Sequence, residues 1–205
     1  MGKGAETKER LLTIAEASIL AKGFGATSIE EIISEAAITK SGFFYHFKDK
    51  RELARALIKR YLANDEIILD DLFKRARELH EDPLHGFLIG LKLFAEMMSG
   101  LPEGHPGCLV ATIVYQERLF DKDIHELTRG GVIAWRKRFV ETLQEIADIY
   151  PPNDDVDLEE LADMISTVIE GGIIMSKALR EPEKLAAQVM MFRSYIKLLF
   201  SPRPN

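Results

Sequence analysis

Apolar residues recur along nearly the whole chain at intervals of three and four, the spacing of one helix face, and the pattern predicts an all-α protein of about nine helices. β-branched residues seldom alternate with polar ones, so strands are not expected. The first helix runs from about Ala5 to Lys22, with Leu11, Ile14, Ala15, Ser18 and Ile19 on one face. Gly23 suits the left-handed position past its end, and Phe24 can fold back on the last turn. Ser28 with Glu31 three residues later is a capping box, which starts a second helix at Ile29. Ala37-Ile38 forms a turn. Thr39 caps a third helix that ends near His46-Phe47, and Asp49 caps a long fourth helix to about His80.

Pro83 opens a fifth helix, on which Leu84, Phe87, Leu88, Leu91, Phe94, Ala95 and Met98 make a broad apolar face. The loop from Gly100 to Gly107 (GLPEGHPG) precedes a sixth helix reaching about Phe120. A seventh covers about Asp121 to Ile149. After PPNDD (Pro151 to Asp155), an eighth spans about Val156 to Leu179, and a ninth runs from Pro182 to about Phe200.

The segment Lys22 to Leu53 is the most informative. Two short helices flank a tight turn, and the second is crowded with small, hydroxyl, aromatic and basic side chains. That combination describes a helix-turn-helix whose second helix can enter the DNA major groove. Ser41 and Gly42 are small where such a helix meets the groove floor. Thr39, Lys40, Ser41, Tyr45 and His46 supply donors and acceptors for base edges and phosphates, while Phe43 and Phe47 pack inward and hold the helix angle. Lys50 can meet a phosphate together with the first amides of the fourth helix.

Charge supports this placement. The net charge of −6 argues against nucleic acid for the chain as a whole, but residues 1–60 carry eleven Lys/Arg against eight Asp/Glu. A mildly basic head therefore joins an acidic body, giving a domain division at 1–48 for DNA and 49–205 for the remainder. The single cysteine, Cys108, excludes an intrachain disulfide. The polar start and the lack of an apolar run of roughly 18 residues lead us to expect a cytoplasmic protein without a membrane partner. No nucleophile motif, phosphate loop or paired-carboxylate signature stands out, so neither an enzyme nor a cofactor is expected. His80, His85, His105 and His125 lack ligand spacing on a single helix face, so no metal is expected either.

Residues Ala17 to Leu53 resemble the N-terminal domain of TetR/AcrR-family transcriptional regulators. The resemblance rests on Gly23-Phe24, Ala26-Thr27-Ser28-Ile29, Ala36-Ala37-Ile38, the run from Thr39 to Phe47, and Lys50 to Leu53. It implies a homodimer that binds a palindromic operator in double-stranded DNA and lets go when a small-molecule effector binds the C-terminal domain. By position it carries DNA contact to Thr27, Ser28, Thr39, Lys40, Ser41, Gly42, Phe44, Tyr45, His46 and Lys50. Three departures stand out. Ala37 replaces the usual turn glycine, Phe44 stands where a tyrosine is frequent, and Glu30 and Glu31 sit early in the second helix.

Helix 9 carries Leu185, Val189, Phe192, Ile196 and Leu199 at heptad-like spacing, with Met191, Tyr195 and Leu198 on a second stripe. Helix 8 carries Leu158, Leu161, Ile165, Val168, Ile169 and Gly172. Helices apolar on more than one face must bury more than a monomer core offers. The resemblance implies a four-helix dimer bundle, with Leu161, Ile165, Gly172, Val189, Phe192 and Ile196 in its interface and Gly171-Gly172 permitting close approach. Adaptable apolar residues expected to line a ligand cavity are Phe87, Leu91, Phe94, Met98, Thr112 and Tyr115, followed by Trp135, Phe139, Met164 and Val168. Cys108, at the start of helix 6, joins them. Its place at a helix N-terminus near His105 also admits a thiol-based oxidant or electrophile sensor. An all-α small-molecule-binding protein without a DNA function is the alternative from another class.

Overall fold

The structure, a computed structural model, describes residues 2–201. Among them are nine α-helices and no strand: α1 (Lys3–Lys22), α2 (Ile29–Glu35), α3 (Lys40–His46), α4 (Lys50–Leu79), α5 (Pro83–Ser99), α6 (Leu109–Tyr115), α7 (Lys122–Ile149), α8 (Leu158–Leu179) and α9 (Lys184–Phe200). A short 3₁₀ turn at Glu117–Leu119 replaces the last part of the longer sixth helix expected from sequence. No helix among the described residues is long and apolar enough to cross a membrane.

Helices begin where side chains satisfy their free amides. Ser28 Oγ accepts from the Glu31 N–H at 3.1 Å, and Thr39 Oγ1 accepts from Gly42 at 3.1 Å. Asp49 Oδ1 accepts from Arg51 and Glu52 at 2.9 and 2.8 Å, and those bonds lower its carboxyl pKa, the Glu52 amide most. The capping box at α2 is half made. The Glu31 carboxylate takes the Lys22 ammonium at 2.5 Å instead of reaching back, and that bond is the main cause of its lowered pKa.

The described chain forms two compact units. One comprises the residues up to Asn64 together with Pro106–Gly131; the other comprises Asp65–His105 together with the residues from Val132 onward. α4 and α7 each contribute to both. The first unit thus takes in half of α4 and the α6 segment beyond residue 48.

In the first unit Leu11, Ala15 and Ile19 of α1 meet Ile32, Phe43, Phe47, Leu53, Leu57 and Ile58 in a core from which water is excluded. Each Leu, Ile or Phe among them contributes about 1.5–3 kcal/mol of burial. α6 packs on α1. Gly23 has φ 89° and ψ 159°, a conformation that a side chain resists, and a Cβ there would lie 2.5 Å from Gln116 Nε2. Gln116 also accepts from the Gly25 N–H at 3.3 Å, and the Phe24 ring packs on Phe120 at 4.6 Å. Phe24 therefore packs against a distant segment and not back on α1 alone. Arg60 spans from α4 to Glu9 and to Glu16, the latter at 2.6 Å.

In the second unit α9 packs against both α5 and α8. Phe87, Leu91, Leu161, Ile165, Val189, Phe192 and Ile196 are all buried there. Phe73 of α4 stacks on Phe87 at 5.7 Å and meets Phe139 edge-on at 6.1 Å. Gly90 makes room for that ring: a Cβ on it would lie 2.4 Å from Phe73 Cε1. Arg136 of α7 holds Asp163 of α8 through two parallel bonds of 2.8 and 2.5 Å. This fork keeps the Asp163 carboxyl pKa below its usual value.

Candidate functional site

The reading helix α3 is anchored from beneath. Phe43 and Phe47 are fully buried, with ring centroids 5.7 Å apart, and they fix its orientation on α1 and α4. Turning them inward leaves Lys40, Ser41, Phe44 and Tyr45 together on the outer face. Tyr45 is 82% exposed and Phe44 43% exposed. Large aromatic rings held in water on a short, rigid helix carry a free-energy cost that a partner surface removes. Thr39 Oγ1 and Ser41 Oγ lie 3.0 Å apart at the helix start, so hydroxyls and the amides of the first turn share one spot. His46 packs edge-on against Tyr45 at 5.0 Å. A Cβ on Gly42 would sit 3.3 Å from Thr39 Oγ1, so this position is kept small by the cap itself.

Two expected contact residues turn inward. Thr27 is buried: its hydroxyl donates to the Gly23 carbonyl at 3.0 Å and lies 3.1 Å from Ser18 Oγ. It braces the α1–α2 connection and presents no side chain to DNA. Lys50 is folded back too. Its ammonium donates to the Phe24 carbonyl at 2.5 Å and sits 4.3 Å from the Phe24 ring centroid, and burial lowers its pKa. Position alone suggested a phosphate contact, but the carbonyl exposed by the Gly23 turn captures the charge. Ser28 is committed as the α2 cap but stays exposed. Glu30 remains exposed in the first turn of α2, while Glu31 is neutralised by Lys22.

The turn between α2 and α3 is made by Ala37 at φ 49°, in the left-handed region. Ile38 N–H donates to the Ile33 carbonyl at 3.2 Å and Ala37 N–H to Ser34 at 3.1 Å, the paired bonds of a Schellman motif. Ala37 therefore pays a steric penalty that a glycine would avoid.

Residues 11–57 match the family described as "Bacterial regulatory proteins, tetR family". Transcriptional regulator AcuR of Cereibacter sphaeroides is 25% identical over 167 residues, 80% of this chain and 73% of that protein. HTH-type transcriptional repressor BepR of Brucella suis biovar 1 is 33% identical over 98 residues, 45% of each chain. A TetR-family transcriptional regulator from Agrobacterium tumefaciens has the same fold, with a TM-score of 0.80 over 97% of this chain and 100% of that one, at 16% identity. Residues 11–57 are thus a TetR-family N-terminal domain.

Beyond the helix-turn-helix, the second unit holds two neighbouring spaces. A narrow apolar cavity of about 20 Å³ is lined by Leu91, Phe94, Phe139 and Val168 among the expected residues, and by Phe73, Ile165 and Phe192. An open cleft of about 730 Å³ lies on the other side of Phe73 and Phe139, with Phe87 in its wall. Its rim is charged, with Arg138 bonded to Asp70 at 2.5 Å and Arg77 to Glu145 at 3.2 Å. Sequence spacing did not reveal Phe73 or this rim, because α4 is polar on most of its surface.

Other expected cavity residues lie elsewhere. Tyr115 is 76% exposed and Met164 40% exposed, so neither encloses a ligand. Met98 is buried and Trp135 is half-buried, and neither lines the two spaces. Cys108 and Thr112 belong to the first unit, where the thiol accepts from the Ala111 N–H at 3.5 Å as the α6 cap and Thr112 donates to the Cys108 carbonyl. Burial, and then the Lys177 charge, lower the His105 pKa, so at neutral pH this imidazole supplies no cation to a thiolate.

The expected interface residues also face inward. Leu161, Ile165, Gly172, Val189, Phe192 and Ile196 are all buried within one chain. Gly172 is pressed on Leu185, whose Cδ1 would lie 2.8 Å from an added Cβ. The outward stripe is the other one: Met164, Ile174 and Met175 on α8, with Met191, Tyr195 and Leu198 on α9. A Cβ on Gly171 would meet open space, so this glycine lies on the open side of α8.

The search for ligand spacing along single helix faces passed over one cluster of donor atoms. His80, Asp82 and His85 bring one donor atom each within 4.8 Å of one another. Ligand spacing was sought along single helix faces, but these three straddle the break between α4 and α5.

Proposed function

We propose that this chain is a homodimeric, ligand-responsive DNA-binding regulator, a repressor released from a palindromic operator by a small molecule. The reading rests on the outer face of α3, where Lys40, Ser41, Phe44 and the 82%-exposed Tyr45 stand on a helix fixed by Phe43 and Phe47. The family, and the naming of BepR as a repressor, support the same conclusion. As a reader of chromosomal DNA the protein would work in the cytoplasm.

Two-fold symmetry would come from the exposed stripe of Met164, Ile174 and Met175 with Met191, Tyr195 and Leu198. A dimer must hold its reading helices about 34–36 Å apart, or a multiple of that, to enter grooves on one side of the duplex. The effector would occupy the apolar space around Phe73. At about 20 Å³ the narrow cavity holds little more than a water molecule. A small molecule needs about 300–1,000 Å³, which the adjoining cleft of about 730 Å³ supplies, and a swing of the Phe73 ring would extend that cleft into the apolar cavity. Phe73 belongs to α4, which is unbroken from Lys50 to Leu79, so its displacement would be felt in the first unit. By linkage, effector and operator would weaken each other equally.

The test is fluorescence anisotropy with the DNA flanking this gene, over a range of salt. Tyr45→Ala is expected to lose at least about tenfold in affinity, the scale of one good contact. Lys40→Ala is expected to weaken all sequences alike and to reduce the log–log salt slope by about one. Retention of DNA at wild-type strength by the double variant would refute the reading.

A further inference from the structure

The α4–α5 corner carries a constellation that neither the reading helix nor the cleft uses. His80 follows the last residue of α4, Asp82 caps α5, and His85 lies in the first turn of α5. The two imidazoles stack with centroids 4.8 Å apart and planes 26° from parallel. Asp82 Oδ1 lies 2.7 Å from His85 Nδ1. Its other oxygen accepts from the Tyr150 hydroxyl at 2.6 Å, and His80 Nδ1 accepts from the Asp82 N–H at 3.2 Å.

We infer that His80, Asp82 and His85 form a binding site for a divalent first-row transition ion of the zinc, cobalt or nickel type. Two imidazoles and one carboxylate are a donor set that suits these ions over calcium or magnesium, which favour oxygen alone. The donors come from a span of six residues whose backbone is fixed at both ends, by the last turn of α4 and the cap of α5. Zinc holds such ligands at about 2.0–2.2 Å, so donors up to 4.8 Å apart must close by roughly an ångström. Both imidazoles are exposed and turn freely enough to do so. An ion drawn between them replaces the His85–Asp82 hydrogen bond, while Tyr150 keeps the carboxylate oriented from behind, as outer partners do at metal sites. Glu78 and Glu81 flank the cluster in sequence, and the carbonyl end of α4 adds negative potential. Three protein ligands leave a coordination position open. The corner borders the large cleft, since Arg77, Glu78, Pro83 and Gly86 line it. The ion would therefore clamp the end of α4 to the start of α5 beside that space. This assignment stands independently of DNA binding.

The experiment titrates Zn²⁺ into the untagged full-length protein by calorimetry, with Co²⁺ added separately to read the ligand field in its visible spectrum. One ion per chain is expected. His80→Ala/His85→Ala, at two exposed positions and with its fold checked by circular dichroism, is expected to lose roughly 100-fold or more, while His125→Ala is expected to keep wild-type affinity. Tyr150→Phe is expected to weaken binding about tenfold, the lower range for an outer partner. Absence of saturable Zn²⁺ binding, or binding preserved in the double histidine variant, would overturn the site. Unchanged affinity in Asp82→Asn, which keeps the α5 cap, would remove Asp82 from the ligand set and overturn the three-donor assignment.

Discussion

Ala37→Gly should stabilise this protein, although glycine inside a helical protein usually does the reverse. The Schellman bonds from Ile38 to Ile33 and from Ala37 to Ser34 force residue 37 to φ 49°. A residue with a Cβ pays about 1–2 kcal/mol in that region. The Ala37 methyl is exposed, so deleting it removes no core contact. Against the relief stands the extra freedom of glycine in the unfolded chain, about 0.4–1 kcal/mol. The difference is a gain of about 0.5–1 kcal/mol. For a protein of this size that raises the melting temperature by about 2 °C. Ala36→Gly supplies the control one residue away. Ala36 is buried at φ −72°, which alanine adopts without strain, so the same chemical change loses about 0.4–1 kcal/mol to the freedom of the unfolded chain and nearly another for the buried methyl. Urea unfolding followed by circular dichroism, with amide exchange at α2 as a local probe, measures both. Opposite signs for the two variants are expected. A loss for Ala37→Gly similar to that for Ala36→Gly would refute a left-handed residue 37 and with it the proposed turn geometry. DNA retention should be unchanged, because the turn keeps its shape.

Gly90→Ala pushes a methyl to within 2.4 Å of the Phe73 ring. Overpacking of about 1–3 kcal/mol, less about 1 for helix propensity, predicts a net loss near 1 kcal/mol in urea unfolding, and a clear gain would show that the ring does not rest there. Leu198→Glu places a charge on the 73%-exposed α9 stripe. Sedimentation equilibrium is expected to show at least tenfold weaker self-association with monomer stability nearly unchanged; self-association equal to wild type would remove this stripe from the interface. Asp163 has its pKa lowered by Arg136, so its contribution is present above the ordinary carboxylate pKa, near 3.9, and is lost as pH falls through the lowered folded value. Asp163→Asn should therefore lose less stability than wild type between pH 5 and acid, and parallel pH profiles would refute the role of the fork.

The helices and their caps were legible because each depends on neighbours within four residues. Ser28, Thr39 and Asp49 act on amides two or three positions away, and the spacing of the α3 aromatics already told which face of α3 is inward. Positions that depend on distant segments were not legible. Lys50 bonds a carbonyl twenty-six residues earlier, and nothing local distinguishes that lysine from one awaiting a phosphate. α8 and α9 are apolar on two stripes each, and sequence shows two stripes without saying which faces α5. Packing chose Val189, Phe192 and Ile196 for the inside. The cluster of His80, Asp82 and His85 escaped for a related reason. A helix face is periodic, but a break between helices brings residues together by a turn whose geometry no period records.

The chain passes between the two units at three places, between residues 64 and 65, 105 and 106, and 131 and 132. The first and third lie inside helices, α4 and α7, with continuous hydrogen bonding. An unbroken helix transmits rotation and tilt, whereas a loop absorbs them. In α7, Gly130 and Gly131 adjoin the crossing, and paired glycines are where helices bend most readily. Gly131 cannot simply be replaced, since a Cβ there would lie 2.4 Å from Leu62 Cδ2 of α4. Gly130 faces open space and would accept alanine. The close approach of α7 to Leu62 thus explains Gly131 by packing. The α6 segment, bonded to Gly25 through Gln116 and to Phe24 through Phe120, returns on the stretch between the loop crossing and α7. It reaches the same Gly23–Phe24 turn that captures Lys50 at the start of α4. Within the first unit, the α6 segment and the start of α4 therefore both hold the backbone that leads into α2.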